Sequence, residues 1–224
     1  QFAYVASHDL QEPLRMVGSY LELLSRRYRG KLDAEADEFI GFAVDGATRM
    51  KQLINDLLGY SRVSNRPLKV EPVDMNDIMA AVEDSLGPLI EETGASIVVD
   101  SLPTVVADPV QAERLFTNLI QNAIKYRGEA TPEVRVSATR RDRFWEFSVT
   151  DNGIGIDPQF REKVFEIFTR LHSREKYQGT GIGLAACKKI IDRHGGLIWI
   201  DTAPDGGCVF RFTLPVDQKV GDRK

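Results

Sequence analysis

The feature that most constrains this chain is a heptad seam. From Ala3, the residues Ser7, Leu10, Leu14, Val17, Leu21, Leu24 and Tyr28 recur at alternating spacings of four and three. That is the 3.5-residue period of a helix packed along another helix. The pattern breaks at Gly30-Lys31-Leu32-Asp33, which reads as a loop with Asp33 or a neighbour capping the next helix. The spacing then resumes through Ala36, Ile40, Ala43, Ala47, Met50, Ile54 and Leu57, widened by Phe39, Phe42, Leu53 and Leu58. Two helices joined by a short loop pack antiparallel, yet a lone hairpin cannot cover stripes this wide. The economical solution is two hairpins side by side, a dimeric four-helix bundle. Residues 1–64 are therefore expected to form a dimerising helical hairpin, and Pro13 is the one proline within them.

Asn65-Arg66-Pro67 reads as a linker, and beyond it the pattern becomes mixed. Strands are expected at Lys69–Val73, Ser96–Asp100, Thr104–Val106, Glu133–Thr139, Phe144–Asp151, Leu197–Asp201 and Cys208–Leu214. Helices are expected at Asn76–Glu92, Pro109–Tyr126 and Ile182–His194. Asp205-Gly206-Gly207 signals a hairpin turn between the last two strands. This order predicts an α/β sandwich over residues 65–217, one mixed sheet with helices on one face, followed by a frayed tail at 218–224.

Composition narrows the functional classes. The formal charge is -4, from 29 basic and 33 acidic residues, which argues against nucleic-acid binding as the main role. Two cysteines, Cys187 and Cys208, with no CxxC pair, argue against structural zinc and a disulfide framework and fit a reducing, cytoplasmic setting. No apolar run approaches the roughly 18–20 residues of a membrane helix. The chain opens at Gln1 within a helical pattern, so it is expected to be a fragment with a sensory or anchoring part upstream.

Five segments carry chemistry. The first is Ser7-His8-Asp9-Leu10-Gln11-Glu12-Pro13-Leu14-Arg15. His8 falls one position past a seam residue, off the core. Asp9 can accept a proton from one imidazole nitrogen and leave the other as a nucleophile. Pro13 leaves the carbonyl of Asp9 without its helical donor, so the helix can bend beside His8. The second segment places Asn118 and Asn122 on one helix face with Lys125 nearby, followed by Tyr126. Amide oxygens suit Mg²⁺, and lysine suits phosphate. The third, Asp151-Asn152-Gly153-Ile154-Gly155-Ile156, puts a carboxylate at a strand end beside glycines that let backbone approach a ligand. The fourth is Phe165-Glu166-Ile167-Phe168, which alone reads as an ordinary helix with an aromatic face. In the fifth, Gly179-Thr180-Gly181-Ile182-Gly183-Leu184 opens a helix and can hold an anion on its N–H groups. It is neither a Walker loop nor a dinucleotide fingerprint. Between the last two, Thr169–Gln178 reads as a polar lid, with Arg170, Arg174 and Lys176 within reach of phosphates.

In this order and spacing, the segments resemble the H, N, G1, F and G2 boxes of bacterial sensor histidine kinases. The wording around His8 is especially similar to the bacteriophytochrome-type sub-family. The resemblance covers Phe2 to Pro215 and implies a phosphotransfer hairpin followed by a Bergerat-type ATP-binding domain. It implies His8 as phospho-acceptor with Asp9 as helper and Asn122 as the Mg²⁺ ligand. Asp151 becomes the adenine reader, and ATP lies among Asn118, Lys125, Tyr126, Gly153, Gly155, Phe168, Gly179, Thr180, Gly181, Gly183 and Leu184. It further implies a homodimer, and phosphoryl transfer from His8 to an aspartate on a response-regulator receiver domain. Glu12 stands where many members carry the Thr or Asn that supports phosphatase activity. Related ATPases of the gyrase and chaperone group place a Glu base where this chain has Asn118, and an amide cannot take a proton from water. An ATP-binding dimerisation scaffold without kinase activity is the alternative.

Overall fold

The computed structural model describes residues 2–172, 177, 179–204 and 206–216, with side chains described from residue 11 onward. The chain divides into two compact units, residues 1–65 and 66–224.

The first unit is a helical hairpin. Helix α1 spans Phe2–Tyr28 and runs through Pro13, and α2 spans Ala34–Asn65. The connection is closed by Asp33 of the loop and Asp37 of the first turn of α2. Asp33 Oδ1 accepts the N–H of Ala36 at 2.8 Å, and Asp37 Oδ2 accepts that of Gly30 at 2.9 Å. The first of these bonds satisfies a donor that the start of α2 leaves open, and the second ties the loop to that helix. Gly30 takes φ +72°, a conformation that favours glycine. Across the hairpin, Gln11 Nε2 donates to Asn55 Oδ1 at 2.9 Å.

The wide apolar stripe divides in two. Leu14, Leu21, Ile40, Ile54 and Leu58 are partly or fully buried. Val17, Leu24, Tyr28 and Met50 from the same seam stay exposed, as do Phe39 and Phe42 at 59% and 62%. One strip of each helix is thus left with a large apolar surface in water.

The second unit contains β1 (Glu71–Asp74), α3 (Met75–Thr93), β2 (Ser96–Val99), β3 (Thr104–Ala107), α4 (Pro109–Lys125), β4 (Glu133–Arg141), β5 (Phe144–Asp151), α5 (Gly183–Arg193), β6 (Ile198–Thr202) and β7 (Cys208–Pro215). The five-stranded sheet has the order β2-β4-β5-β7-β6. Its β2–β4 pair is parallel and the other pairs are antiparallel. The expectation of one sheet is corrected here, because β1 and β3 pair antiparallel as a separate two-stranded sheet. Asp74 and Asp108 cap α3 and α4 by accepting N–H groups of Asn76 and Gln111.

Alternation along each strand gives the main sheet one apolar and one polar face. On the apolar side Phe116 of α4 meets Phe147 and Phe212 edge-on at 6.0 and 5.6 Å, and those two rings stack at 5.1 Å. All three are fully buried. On the polar side Arg135 pairs with Asp100, Ser137 meets Ser148, and Arg211 bridges Glu146 and Asp201. Trp145 and Trp199 are half-buried in this sheet, and Cys187 is fully buried.

His194 caps α5 and is only 2% exposed. Its Nδ1 faces the carbonyl of Ile190 at 2.8 Å, and its Nε2 accepts the N–H of Asp108 at 3.0 Å. This pairing requires the neutral ring, and burial lowers the imidazole pKa accordingly. Asp108 also accepts the N–H of Lys69 at 3.1 Å, and Arg193 donates to the carbonyl of Arg66 at 2.6 Å.

Candidate nucleotide site

The site gathers where α4 ends, β5 ends and α5 begins. Asp151 closes β5 and is 7% exposed. Its Oδ1 accepts two backbone N–H groups, from Gly153 at 2.9 Å and from Cys208 at 3.1 Å. Burial nevertheless raises its pKa, the two hydrogen bonds opposing that shift. With both backbone donors on Oδ1, Oδ2 is the oxygen that can serve an incoming donor such as an exocyclic amine.

Glycine is demanded here by close approach. A Cβ on Gly153 would lie 2.5 Å from the carbonyl oxygen of Tyr126, and one on Gly181 would lie 2.8 Å from that of Thr169. The carbonyl of Tyr126 accepts the N–H of Ile154 at 3.0 Å, which ties the end of α4 to the loop after β5. Gly155 takes φ +73° beside Gly207.

Asn118, Asn122 and Lys125 occupy α4, with Tyr126 as its C-cap. Gly183 opens α5 so close to Asn118 that a Cβ there would lie 3.2 Å from Asn118 Oδ1. Gly179 stands nearer still to Lys125, whose Nζ would be 2.5 Å from such an atom. The glycine-rich loop therefore lies against the Asn–Lys face of α4. No side chain caps α5 at Ile182, so its first-turn N–H groups are available to an anion. Thr180, Gly181 and Leu184 are half-buried along this loop. Asn122 is also half-buried, and its amide oxygen is a neutral, hard donor of the kind Mg²⁺ takes. This donor set fits a nucleotide phosphate chain with its cation.

The segment around Phe168 is not an ordinary helix. A single 3-10 turn covers Lys163–Phe165, after which Phe168 sits at φ +67° with 60% exposure. Its N–H donates to the carbonyl of Gly181 at 2.9 Å, joining this segment to the glycine loop. Of the expected lid, Arg174 and Lys176 lie outside the described residues. Arg170 donates to the carbonyl of Tyr177 at 2.8 Å. His8 and Asp9 lie in α1, and their side chains are likewise outside the described residues.

Two features were missed by sequence reasoning. The Gly207–Cys208 corner braces Asp151 across 57 residues, and its only sequence signal was a turn-forming glycine pair. An aromatic cluster also surrounds Tyr126, with Tyr177 at 5.0 Å and His172 at 6.0 Å. Lys125 Nζ lies 4.4 Å from the Tyr126 ring centroid and 3.1 Å from its hydroxyl. Beside Lys125 opens a cleft of about 470 Å³ bordered by Leu89, Gln121, Arg127 and Tyr177.

Comparison with known proteins agrees with this arrangement. Residues 1–66 match the His Kinase A (phospho-acceptor) domain, and residues 107–218 match the histidine kinase-, DNA gyrase B- and HSP90-like ATPase family. The chain is 50% identical over 227 residues to cyanobacterial phytochrome A of Nostoc sp., covering 100% of this chain and 29% of that protein. It is 47% identical over 216 residues to phytochrome-like protein Cph1 of Synechocystis sp., covering 96% and 29%. Among solved structures it resembles full-length ShkA in complex with AMPPNP, with TM-score 0.73, 27% identity and coverage of 98% and 46%. The chain thus spans under a third of the two phytochromes. Among the described residues no helix is long and apolar enough to cross a membrane. With a phospho-acceptor domain match over the hairpin and an ATPase-family match over the α/β sandwich, the chain belongs to the histidine kinase branch of the histidine kinase-, DNA gyrase B- and HSP90-like ATPase family.

Proposed function

We propose that this chain is the catalytic core of a sensor protein-histidine kinase. It takes the γ-phosphoryl group of ATP onto His8 and passes it to an aspartate of a response-regulator receiver domain. Residues 1–64 serve as the acceptor and dimerisation hairpin, 65–217 as the ATP-binding domain and 218–224 as a tail. The exposed strip at Val17, Leu24, Phe39 and Phe42 supports a second copy of the hairpin as its cover. A sensory region precedes this segment in the full protein, and this segment acts in the cytoplasm.

The observation that carries the reading is the braced Asp151 carboxylate at the end of β5, beside glycines packed on Asn118 and Lys125. Asp151 Oδ2 accepts the amine of adenine. Lys125 and the open N–H groups of α5 bind phosphate oxygens, and Asn122 holds the metal. Bound Mg²⁺ supplies charge neutralisation at the phosphates. The imidazole of His8 attacks the γ-phosphorus in line, with Asp9 holding its other nitrogen protonated. The contribution of the protein is positioning and electrostatics.

Incubation of the full chain with γ-labelled ATP and Mg²⁺ tests this. An alkali-stable, acid-labile label is expected on the wild-type chain and none on His8→Gln. Label retained in His8→Gln overturns the acceptor assignment. ATP binding with no label on the wild-type chain favours the scaffold.

A further inference from the structure

Asp151 is held by two segments far apart in sequence. Gly153 belongs to its own loop, but the second donor, the N–H of Cys208, comes from the turn between β6 and β7. That turn is pressed onto Asp151. A Cβ on Gly207 would lie 2.1 Å from the Asp151 carbonyl oxygen and 2.8 Å from Oδ1, and Gly207 sits at φ +80°. The turn is itself braced. The carbonyl of Gly207 accepts the N–H of Ala203 at 3.4 Å, and the N–H of Gly206 reaches the carbonyl of Ala203 at 3.2 Å. Ala203 is buried.

We propose that the Gly207–Cys208 corner is a positioning element for base recognition: by fixing the orientation of the Asp151 carboxylate, it sets the preference for 6-amino over 6-oxo purine nucleotides. The proposal rests on Asp151 reading the base. An aspartate tethered by one donor can still turn about its side-chain torsions. Two N–H groups converging on one oxygen remove that freedom and leave Oδ2 as a fixed acceptor. A 6-amino purine offers it an N–H, whereas a 6-oxo purine presents another acceptor. A rigid Oδ2 makes that mismatch costly, and a mobile one lets the carboxylate turn aside.

The test compares ATP with inosine triphosphate (ITP) by titration calorimetry on the full chain with Mg²⁺. The wild-type chain is expected to prefer ATP by about a hundredfold. In Gly207→Ala that ratio falls by about tenfold or more, through weaker ATP binding with little change for ITP. Gly206→Ala is the control. Gly206 has φ +90°, but nothing lies within 4 Å of a Cβ there, so the variant strains the same turn without touching Asp151 and keeps the ratio. If Gly207→Ala does not fold, a backbone ester at position 208, compared with Cys208→Ala, removes only the donor and is expected to lower the ratio about tenfold. No wild-type preference overturns base reading by Asp151, and this proposal with it. A wild-type preference that survives in Gly207→Ala or the ester overturns the positioning role alone. Equal loss in Gly206→Ala and Gly207→Ala also overturns it.

Discussion

The two units solve the burial problem differently. The ATP-binding unit makes its own core, in which Phe116, Phe147 and Phe212 are fully enclosed and α4 and α5 pack on the sheet. The hairpin leaves Tyr20, Phe39 and Phe42 about 60% exposed. Its helices are specified by pattern and capping, but its apolar strip is not covered within the hairpin, in keeping with the dimerisation that its phospho-acceptor domain match implies. The difference teaches that one chain can combine a self-sufficient module with one whose stability depends on concentration.

Core truncation gives the largest expected contrast. Phe116→Ala should cost the ATP-binding unit about 3–5 kcal/mol, read from chemical denaturation followed by near-ultraviolet circular dichroism. Phe42→Glu is the counterpart on the hairpin. It should leave the melting of the ATP-binding unit unchanged and weaken self-association by about tenfold or more in sedimentation equilibrium. A Phe42→Glu chain that associates as well as wild type breaks the contrast.

Acid should act on the self-sufficient unit through His194. Its folded pKa lies below the ordinary value of 6.5, so the unfolded chain binds the proton more readily. The stability this ring contributes is complete above pH 6.5 and is lost as pH falls from there towards the lower folded value. Asp151 works in the opposite sense. Its raised pKa costs stability at neutral pH and returns it as pH falls through that value. Urea midpoints between pH 7.5 and 5.5 should decline for the wild-type chain. His194→Ala should start lower by about 2 kcal/mol and decline less steeply.

The smallest effect sharpens the comparison at a helix start. Asp33→Ala removes the cap of α2 and should cost the hairpin about 1 kcal/mol, read as a lower melting point at fixed protein concentration.

Local pattern made the hairpin legible, because a heptad seam and a capping aspartate are short-range signals. Strand positions were legible for the same reason, and β5 follows its alternation from Phe144 to Asp151. Pairing was not. Nothing in Glu71–Asp74 or Thr104–Ala107 says that they join each other rather than the main sheet. The burial of His194 was not legible because its partner, the N–H of Asp108, lies 86 residues away. The segment ending at Phe168 resembled an amphipathic helix, but its bond to Gly181 holds it in a non-helical conformation. At the site, the glycines announced close approach, while the identity of what approaches Gly207 required the fold.

Strand β7, Cys208–Pro215, lies between β5 and β6 although it follows both in the chain. During synthesis β5 must therefore wait with an open edge until nearly all of this segment has emerged from the ribosome, and β6 has no neighbour before then. The candidate site inherits the delay, since the amide that braces Asp151 belongs to the same late strand. The finished site thus arrives in a single late step, and a ribosome stalled before residue 208 would release a domain lacking both the strand that joins β5 to β6 and the amide that braces Asp151.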